Sequence, residues 1–308
     1  MSASVPSEQG TDVIVVGGGP AGLTAATYLA RFLRTCLVLD AGDSRAKWIP
    51  ESNNCPGFPH GVAGVELLRR MQAQAAGFGA RFEQAEVTGI ARDGEGFIVS
   101  AGERSWRARC VLLATGLADR LPDVPWAEEA IACGALRLCS ICDAYEARDT
   151  CIGVYGPAAN IGAHGLFLRA YSSRILLLPS DHDDGGEDLR KAAVLAGVRV
   201  LAPGGRLDFD GKRCRYTCPD GEVVAFDSLY PFLGSRTTAR IAAAAGAKLS
   251  PDGEILVDRE QMTGVPGLFA IGDVVSGLNQ ISVAVGQAAV AATKAHALLP
   301  FAPRASTR

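Results

Sequence analysis

Two cysteines separated by two residues, Cys139 and Cys142, have the clearest chemical potential in this sequence. At this spacing they can close a small disulfide ring, and one of the two thiols can have a lowered pKa. The thiolate is the nucleophile in disulfide exchange, and Asp143, directly after the pair, is suited to manage the proton. The alternative is half of a zinc site, but no second Cys-x-x-Cys and no paired histidines follow at metal spacing. The pattern therefore favours redox chemistry and predicts no metal.

A glycine-rich turn near the start of the sequence predicts a dinucleotide site. It follows a β-branched run, Asp12–Val16, and opens an Ala-rich segment with helical character. In this fingerprint the first glycine permits a tight turn, the second lets backbone approach a pyrophosphate, and the third lets helix and strand pack closely. Asp40, 18 residues beyond the last glycine, is expected to bind the adenosine ribose hydroxyls. The candidate residues in the turn are Gly17, Gly19, Pro20, Ala21 and Gly22.

Two further segments each border a predicted element. Thr115-Gly116 follows a predicted buried strand, and Gly272-Asp273 precedes a long predicted helix. Both resemble signatures of the pyridine nucleotide-disulfide oxidoreductases. In that family the aspartate binds the ribityl chain of the flavin, and the start of the helix points to the flavin pyrimidine. The resemblance gives these roles to Asp273 and to the pair Gln280-Ile281, and it implies that the cofactor is FAD.

The Cys-Ser-Ile-Cys-Asp segment, placed just before a second strand–turn–helix, resembles the low-molecular-weight thioredoxin reductases over nearly the whole chain. Asn54-Cys-Pro-Gly57 is similar to that family's loop near the isoalloxazine ring, so Asn54 is a further cofactor-binding candidate. The resemblance implies that Cys142 lies against the flavin C4a, that Cys139 faces the substrate and that Asp143 is the acid/base. It also implies a homodimer whose FAD and inserted domains rotate about hinges near residues 117–121 and 233–236.

The sequence departs from that family where the nicotinamide nucleotide would bind. The family has Gly-x-Gly-x-x-Ala there and a following basic cluster, whereas this chain has Gly156-Pro-Ala-Ala-Asn-Ile161. Ala158 brings a Cβ to the point where backbone should meet the pyrophosphate. The segment Pro179–Gly185 contains three aspartates and no arginine, and carboxylates repel a phosphate dianion. The sequence therefore argues against NADPH, and less strongly against NADH.

This pattern resembles a branch that uses no pyridine nucleotide, which includes the dithiol oxidases of natural products such as gliotoxin and holomycin. The resemblance implies an FAD-dependent dithiol–disulfide oxidoreductase. A substrate thiolate would attack Cys139, a second thiol would resolve the mixed disulfide, Cys142 would reduce FAD, and oxygen or another acceptor would reoxidise it. The substrate would be a small dithiol or a thioredoxin-like protein. The alternatives are an NAD(P)H-dependent thioredoxin reductase and a non-catalytic flavin-binding or redox-sensing module.

The elements that must position these residues predict an α/β fold of two Rossmann-like domains, the second inserted into the first. A length of 308 residues favours two domains over one. Strands are predicted at Asp12–Val16, Cys36–Asp40 and Cys151–Tyr155, and a long helix at Ile281–Leu299. We expect residues 1–118 and 235–308 to form a split FAD-binding domain, and residues 119–234 an inserted NAD(P)-binding-like domain that carries the cysteine pair.

Composition excludes several classes of partner. The net charge is −3 and the basic residues form no run, so nucleic acid is not expected as a partner. The first ten residues lack the basic start and apolar run of a signal peptide, and no apolar stretch reaches the length of a membrane span. We therefore expect a cytoplasmic protein without a membrane partner, in a compartment where structural disulfides are rare.

The remaining cysteines and one histidine are predicted to have no part in the chemistry. Cys36, Cys110 and Cys151 lie in apolar strands and are expected to pack in the core. Cys214 and Cys218 lie on a polar, hairpin-like stretch. His296 lies near the end of the last helix, too far along it to reach a flavin at its start. Cys133 and Cys55 complete the set, and Cys55 is notable because its loop is the one that resembles a flavin-bordering loop.

Overall fold

The computed structural model describes residues 10–182, 186–275, 277–301 and 303. The chain divides into two compact units. Unit 1 contains residues 1–47, 65–117 and 237–308, and unit 2 contains residues 48–64 and 118–236. Each unit has its own parallel sheet and its own hydrophobic core, so the predicted α/β fold with two Rossmann-like halves is confirmed.

The sheet of unit 1 has a parallel centre formed by short apolar runs. Val13–Val16 are buried, as expected for a central parallel strand that is covered on both faces of the sheet. In register, Val15 pairs with Val38 on one side and with Leu112 on the other. Within the described chain the strand order is β3-β2-β1-β6-β5-β4. In addition, β16 pairs in parallel with the last three residues of β6. The bounds are β1 Thr11–Val16, β2 Cys36–Asp40, β3 Arg81–Gln84, β4 Gly89–Asp93, β5 Gly96–Ala101, β6 Arg104–Leu113 and β16 Leu268–Ala270.

Small residues let the two main helices of unit 1 approach closely. Ala25 and Ala26 share one core with Ala288, Ala291 and Ala292, and all five are fully buried. The helices of this unit are α1 Pro20–Arg31, α2 Gly64–Gly77, α7 Arg240–Ala244 and α8 Ile281–Leu298, with 3-10 turns at Arg45–Trp48 and Gly272–Val274. Across the part of the chain that the structure describes, no helix has the length and apolar character needed to cross a membrane.

Unit 2 repeats the strand–helix–strand plan and adds a small antiparallel sheet. Its parallel sheet has the order β10-β9-β8-β14, and the antiparallel sheet has the order β11-β12-β13. The strands are β8 Cys151–Gly156, β9 Arg174–Pro179, β10 Arg199–Val200, β11 Arg206–Phe209, β12 Cys214–Thr217, β13 Val223–Phe226 and β14 Ser228–Pro231. The helices are α3 Ala127–Ala132, α4 Ser140–Asp143, α5 Ala158–Leu168 and α6 Glu187–Leu195.

A two-stranded ribbon lies where the chain passes between the units. It pairs β7, Leu117–Asp119, with β15, Ser235–Thr237. Arg120 extends the pairing by donating its backbone N–H to the Gly234 carbonyl at 2.9 Å. The two segments predicted as hinges therefore run side by side, and their hinge role stays a prediction.

Four of the seven cysteines outside the disulfide are buried, and three placements differ from expectation. Cys36 and Cys110 lie in the core as predicted, whereas Cys151 is only half-buried. Cys214 and Cys218 do lie on the predicted hairpin, but both are buried rather than on a polar surface. The alternation of β12 turns Cys214 and Tyr216 inward against α3, which the polar sequence of the hairpin does not reveal.

Candidate cofactor and redox sites

The first strand–helix turn has room for nothing larger than glycine at two of its positions. Gly17 has a φ of 109°, and a Cβ there would lie 2.3 Å from the Ala114 carbonyl oxygen. A Cβ on Gly22 would lie 1.9 Å from the Gly17 carbonyl oxygen, so only glycine lets α1 start this close to β1. Helix α1 then begins at Pro20, whose missing N–H costs nothing in the first helical turn.

The space beside this turn suits a nucleotide. Asp40, at the end of β2, accepts a hydrogen bond from the Gly18 N–H at 3.0 Å. A Cβ on Gly19 would meet only the Ser44 hydroxyl within 4 Å, so the backbone there is open to close approach. A cavity of about 220 Å³ adjoins these residues. It is lined by Gly18, Leu23, Asp40, Gly42, Gln72, Phe82, Glu83 and Gln84.

The fold brings the two distant signature segments to the same turn. Thr115 follows Ala114, the residue against which Gly17 packs. Gly272 has a φ of 75°, and a Cβ there would lie 3.0 Å from that of Ala21. Gly116 also has a positive φ, of 63°. Through the contacts of Gly17 with Ala114 and of Gly272 with Ala21, both signature segments therefore adjoin the first turn.

Two side chains that the sequence did not single out hold the Gly272-Asp273 turn. The Gly272 N–H donates to Gln287 Oε1 at 2.7 Å, and Arg45 Nη1 lies 3.6 Å from Asp273 Oδ2. Gln287 lies 15 residues away and Arg45 more than two hundred, so no local pattern indicates either contact. Gln280 precedes the first residue of α8, Ile281, as its N-cap.

Asn54 belongs to the loop that clusters with unit 2. Its Oδ1 accepts a hydrogen bond from the Ser52 hydroxyl at 3.2 Å. Ser52 also forms a two-way backbone bridge with Val62, which closes this loop. A role for Asn54 at the cofactor stays a prediction.

The cysteine pair in unit 2 forms a disulfide at the start of a one-turn helix. Cys139 and Cys142 are bonded, with their Cα atoms 5.2 Å apart, as the spacing predicted. Cys139 is the N-cap of α4, and its Sγ accepts a hydrogen bond from the Cys142 N–H at 3.1 Å. An N–H aimed at a sulfur favours the thiolate once the bond is opened. Ile141, between the cysteines, is exposed.

Asp143, at the end of α4, is held on both carboxylate oxygens. Arg137 Nη1 donates to Oδ2 at 3.0 Å, and the Tyr230 hydroxyl donates to Oδ1 at 2.8 Å. Burial raises the pKa of the Asp143 carboxyl, although Arg137 and Tyr230 both act to lower it. Neither partner was identified from the sequence, since Arg137 precedes the pair without any recognised motif and Tyr230 is on β14.

The described ranges contain no group of three or more His, Cys, Asp or Glu side chains arranged to hold a metal ion.

His296 contacts residues that were not predicted to belong to either site. Its Nδ1 accepts a hydrogen bond from Arg34 Nε at 3.0 Å, and its ring packs on Phe32.

The sequence model of one family, described as pyridine nucleotide-disulphide oxidoreductase, matches residues 11–288 of this chain. The chain belongs to the pyridine nucleotide-disulphide oxidoreductase family. It is a thioredoxin reductase-like flavoprotein that binds FAD and acts on sulfur groups. The open turn at Gly19, the Asp40 carboxylate and the adjoining cavity fit the adenosine diphosphate part of FAD.

Known relatives support this membership at moderate identity. A thioredoxin reductase from Mycolicibacterium smegmatis is 30% identical over 86% of this chain and 88% of its own length. A bifunctional thioredoxin reductase/thioredoxin from Mycobacterium leprae (strain TN) is 29% identical over 86% of this chain, which spans 60% of that longer protein. Among solved structures, HlmI is 30% identical with a TM-score of 0.87, covering 96% of this chain and 94% of its own.

The second strand–helix turn of this family member differs from the first in what it offers a phosphate. A Cβ on Gly156 would lie 2.6 Å from the Phe232 carbonyl oxygen, so the tight turn is retained. Pro157, the N-cap of α5, has no N–H, and Ala158 is buried. The Ala158 N–H donates to Asp181 Oδ1 at 3.0 Å. Of the three aspartates predicted to repel a phosphate, Asp183 and Asp184 lie outside the described residues, as does Gly185.

Proposed function

We propose that this protein is an FAD-dependent dithiol–disulfide oxidoreductase of the dithiol oxidase type, which takes electrons from a dithiol and not from NADPH. The observation that carries the proposal is the second strand–helix turn, where Pro157 has no N–H and the next residue is a buried alanine, Ala158, whose N–H is bonded to the Asp181 carboxylate. A pyrophosphate at a Rossmann turn is bound by backbone N–H groups at the start of the helix. Here one of those groups is missing at Pro157, and the next belongs to Ala158, whose Cβ lies where the first turn has the open Gly19.

The disulfide supplies the substrate chemistry. A substrate thiolate attacks Cys139 Sγ, the Cys139–Cys142 bond breaks, and Cys142 leaves as a thiolate. The second substrate thiol gives its proton to Asp143 and attacks the substrate sulfur of the mixed disulfide, which releases the substrate disulfide and Cys139 as a thiolate. The substrate has then lost two electrons and two protons. FAD supplies a two-electron acceptor for the reduced cysteines.

The electrons pass on to oxygen or another acceptor. With oxygen, two electrons and two protons give hydrogen peroxide, so the balanced reaction consumes one O2 for each dithiol oxidised. The resemblance to oxidases of natural-product dithiols supports a small dithiol as substrate, and a thioredoxin-like protein remains the second substrate class. An exposed Ile141 beside the disulfide is compatible with apolar contact to either.

An NAD(P)H-dependent thioredoxin reductase is the second candidate. The relatives named thioredoxin reductase favour it, since they match nearly the whole of this chain. The two candidates share the disulfide and the flavin, and they differ in which partner donates electrons. That difference makes them separable in one experiment.

The test is anaerobic mixing of the FAD-loaded protein with NADPH, NADH or dithiothreitol, followed by the visible flavin absorbance. We expect bleaching with the dithiol and none with either nucleotide. Rapid, stoichiometric bleaching by NADPH would overturn the proposal in favour of the reductase. Cys139→Ser should lose bleaching by dithiol by about a hundredfold or more, because the attacked sulfur is gone. Cys133→Ser, which removes an exposed cysteine six residues earlier, is the matched control and should bleach like the wild type.

A homodimer and a cytoplasmic location are further parts of the proposal, supported by the family resemblance and by the composition. Sedimentation of the purified protein should give twice the mass of one chain. A species of single-chain mass at micromolar concentration would argue against the dimer.

A further inference from the structure

We propose that Arg137 and Tyr230 are positioning residues of the disulfide reaction, which together fix the Asp143 carboxylate and keep it an anion that can accept a proton. The proposal builds on the proposed roles of the Cys139–Cys142 pair and of Asp143. It adds two residues that no motif identifies: Arg137, ahead of the cysteine pair in sequence, and Tyr230, on β14.

The Asp143 carboxylate is held at both of its oxygens. Tyr230 Oη and Arg137 Nη1 donate to different oxygens of Asp143, at 2.8 and 3.0 Å. A carboxylate held at both ends cannot rotate about its Cβ–Cγ bond without breaking a charge-assisted hydrogen bond. The side chain is therefore fixed on the same one-turn helix that carries Cys142.

A single strand, β14, holds both donors. Tyr230 is a residue of β14 and is only 1% exposed. The Arg137 N–H donates to the Leu229 carbonyl of the same strand at 2.8 Å, and Arg137 Nε donates to the Ser228 hydroxyl at 3.1 Å. The Leu229 N–H completes the register by donating to the Ala135 carbonyl at 2.7 Å. The backbone of Arg137 is thus fixed by its hydrogen bond to β14, and its guanidinium reaches Asp143 from that fixed position.

The surroundings of Asp143 act on the pKa of its carboxyl in opposite directions. Burial raises the pKa of the Asp143 carboxyl, and the negative charge of Glu146 adds to that rise. The Arg137 charge and the Tyr230 hydroxyl both oppose it. The Tyr230 phenol itself stays protonated, because burial and the adjacent Asp143 raise its pKa. It can therefore donate a hydrogen bond to the carboxylate but cannot replace Asp143 as the base.

The consequence concerns the proton of the second substrate thiol. Only the ionised carboxylate can take that proton, so the step slows where Asp143 becomes protonated. Removing either donor makes protonation easier and moves the acid limb of the reaction to higher pH. Removing the Arg137 charge should move it further than removing the Tyr230 hydroxyl, because the charge is the larger of the two opposing influences.

The experiment measures anaerobic reduction of the FAD-loaded protein by dithiothreitol from pH 5 to 9 in the wild type, Tyr230→Phe, Arg137→Met and Arg137→Lys. The variant-to-wild-type rate ratio cancels the titration of the reagent itself. At the acidic end we expect the ratio to fall about tenfold for Arg137→Met and by less for Tyr230→Phe, and at the alkaline end we expect both ratios to approach one. Arg137→Lys keeps the charge and should recover part of the loss. Ratios that do not vary with pH would overturn the proposal.

The controls separate this role from a structural one. Tyr216→Phe removes another buried hydroxyl of unit 2, which bonds Ala202 and Gly205 and does not contact Asp143, so its ratio should be flat across pH. If Tyr230→Phe fails to fold, the two Arg137 variants still decide, since that side chain is 21% exposed. The assay uses no nucleotide and no oxygen. Bleaching by NADPH would therefore sink the oxidase proposal and leave this one standing.

Discussion

The two strand–helix turns of the molecule share a framework and differ in what they leave for a ligand. In each turn the first glycine packs against a carbonyl at the end of a neighbouring strand, Ala114 for Gly17 and Phe232 for Gly156. In each, a carboxylate at or just after the end of the second strand accepts a hydrogen bond from a turn amide at 3.0 Å, Asp40 in the first and Asp181 in the second. The tight turn is therefore a requirement of the fold that both halves keep.

The difference lies one and two residues further along. The first turn has Gly18 and Gly19, with open space beside Gly19, whereas the second has Pro157 and a buried Ala158. Two kinds of glycine can thus be distinguished: one that shapes the turn, as Gly17 and Gly156 do, and one that admits a phosphate, as Gly19 does. The second turn has kept the former and lost the latter.

The largest expected effect comes from breaking the first turn at its tightest point. In Gly22→Ala the added Cβ would lie 1.9 Å from the Gly17 carbonyl oxygen, so α1 must shift away from β1. We expect loss of bound FAD and a fall of about 1–3 kcal/mol or more in the free energy of unfolding. Flavin absorbance after purification and denaturant unfolding measure the two. Gly286→Ala in α8, where a Cβ meets nothing within 4 Å, is the control and should retain FAD.

An intermediate effect should separate the two carboxylates. Asp40→Ala removes the acceptor of the Gly18 N–H and the predicted partner of the ribose, so the Kd for FAD should rise about tenfold or more. Asp181→Ala should leave FAD affinity unchanged, since Asp181 bonds the second turn, at Ala158, and not the first. Titration of the apoprotein with FAD measures both constants. Equal losses in the two variants would mean that the turns do not act separately.

The smallest expected effect is on the second turn itself. Asp181→Ala should cost about 1 kcal/mol of folding stability, because the Ala158 N–H loses its acceptor. The variant should still not be bleached by NADH, because Pro157 and Ala158 remain. Thermal unfolding and anaerobic mixing measure the two outcomes. If NADH bleaches this variant, then the carboxylate alone blocks the second turn.

The strands and helices could be predicted from the sequence because each depends on a pattern of residues that are close together in the chain. Val13–Val16 and Cys36–Asp40 are apolar runs, and the predicted end of the last helix lies one residue from its end at Leu298. The glycine turn was predictable for the same reason. The partners of Asp143 were not, since Tyr230 lies 87 residues away and meets it only through the pairing of the strands. Arg45 at Asp273 is a similar case.

Six of the seven cysteines outside the disulfide are buried or partly buried, which has a practical consequence for following the redox state of the protein. Burial raises the pKa of Cys36 and Cys214 to about 12 and that of Cys110 to about 11, and it also raises the pKa values of Cys55, Cys151 and Cys218. These thiols stay protonated at neutral pH and react slowly with alkylating reagents. In a Cys133→Ser background, brief native alkylation followed by mass spectrometry would therefore measure the fraction of the Cys139–Cys142 pair that is reduced. This measurement does not depend on the flavin absorbance.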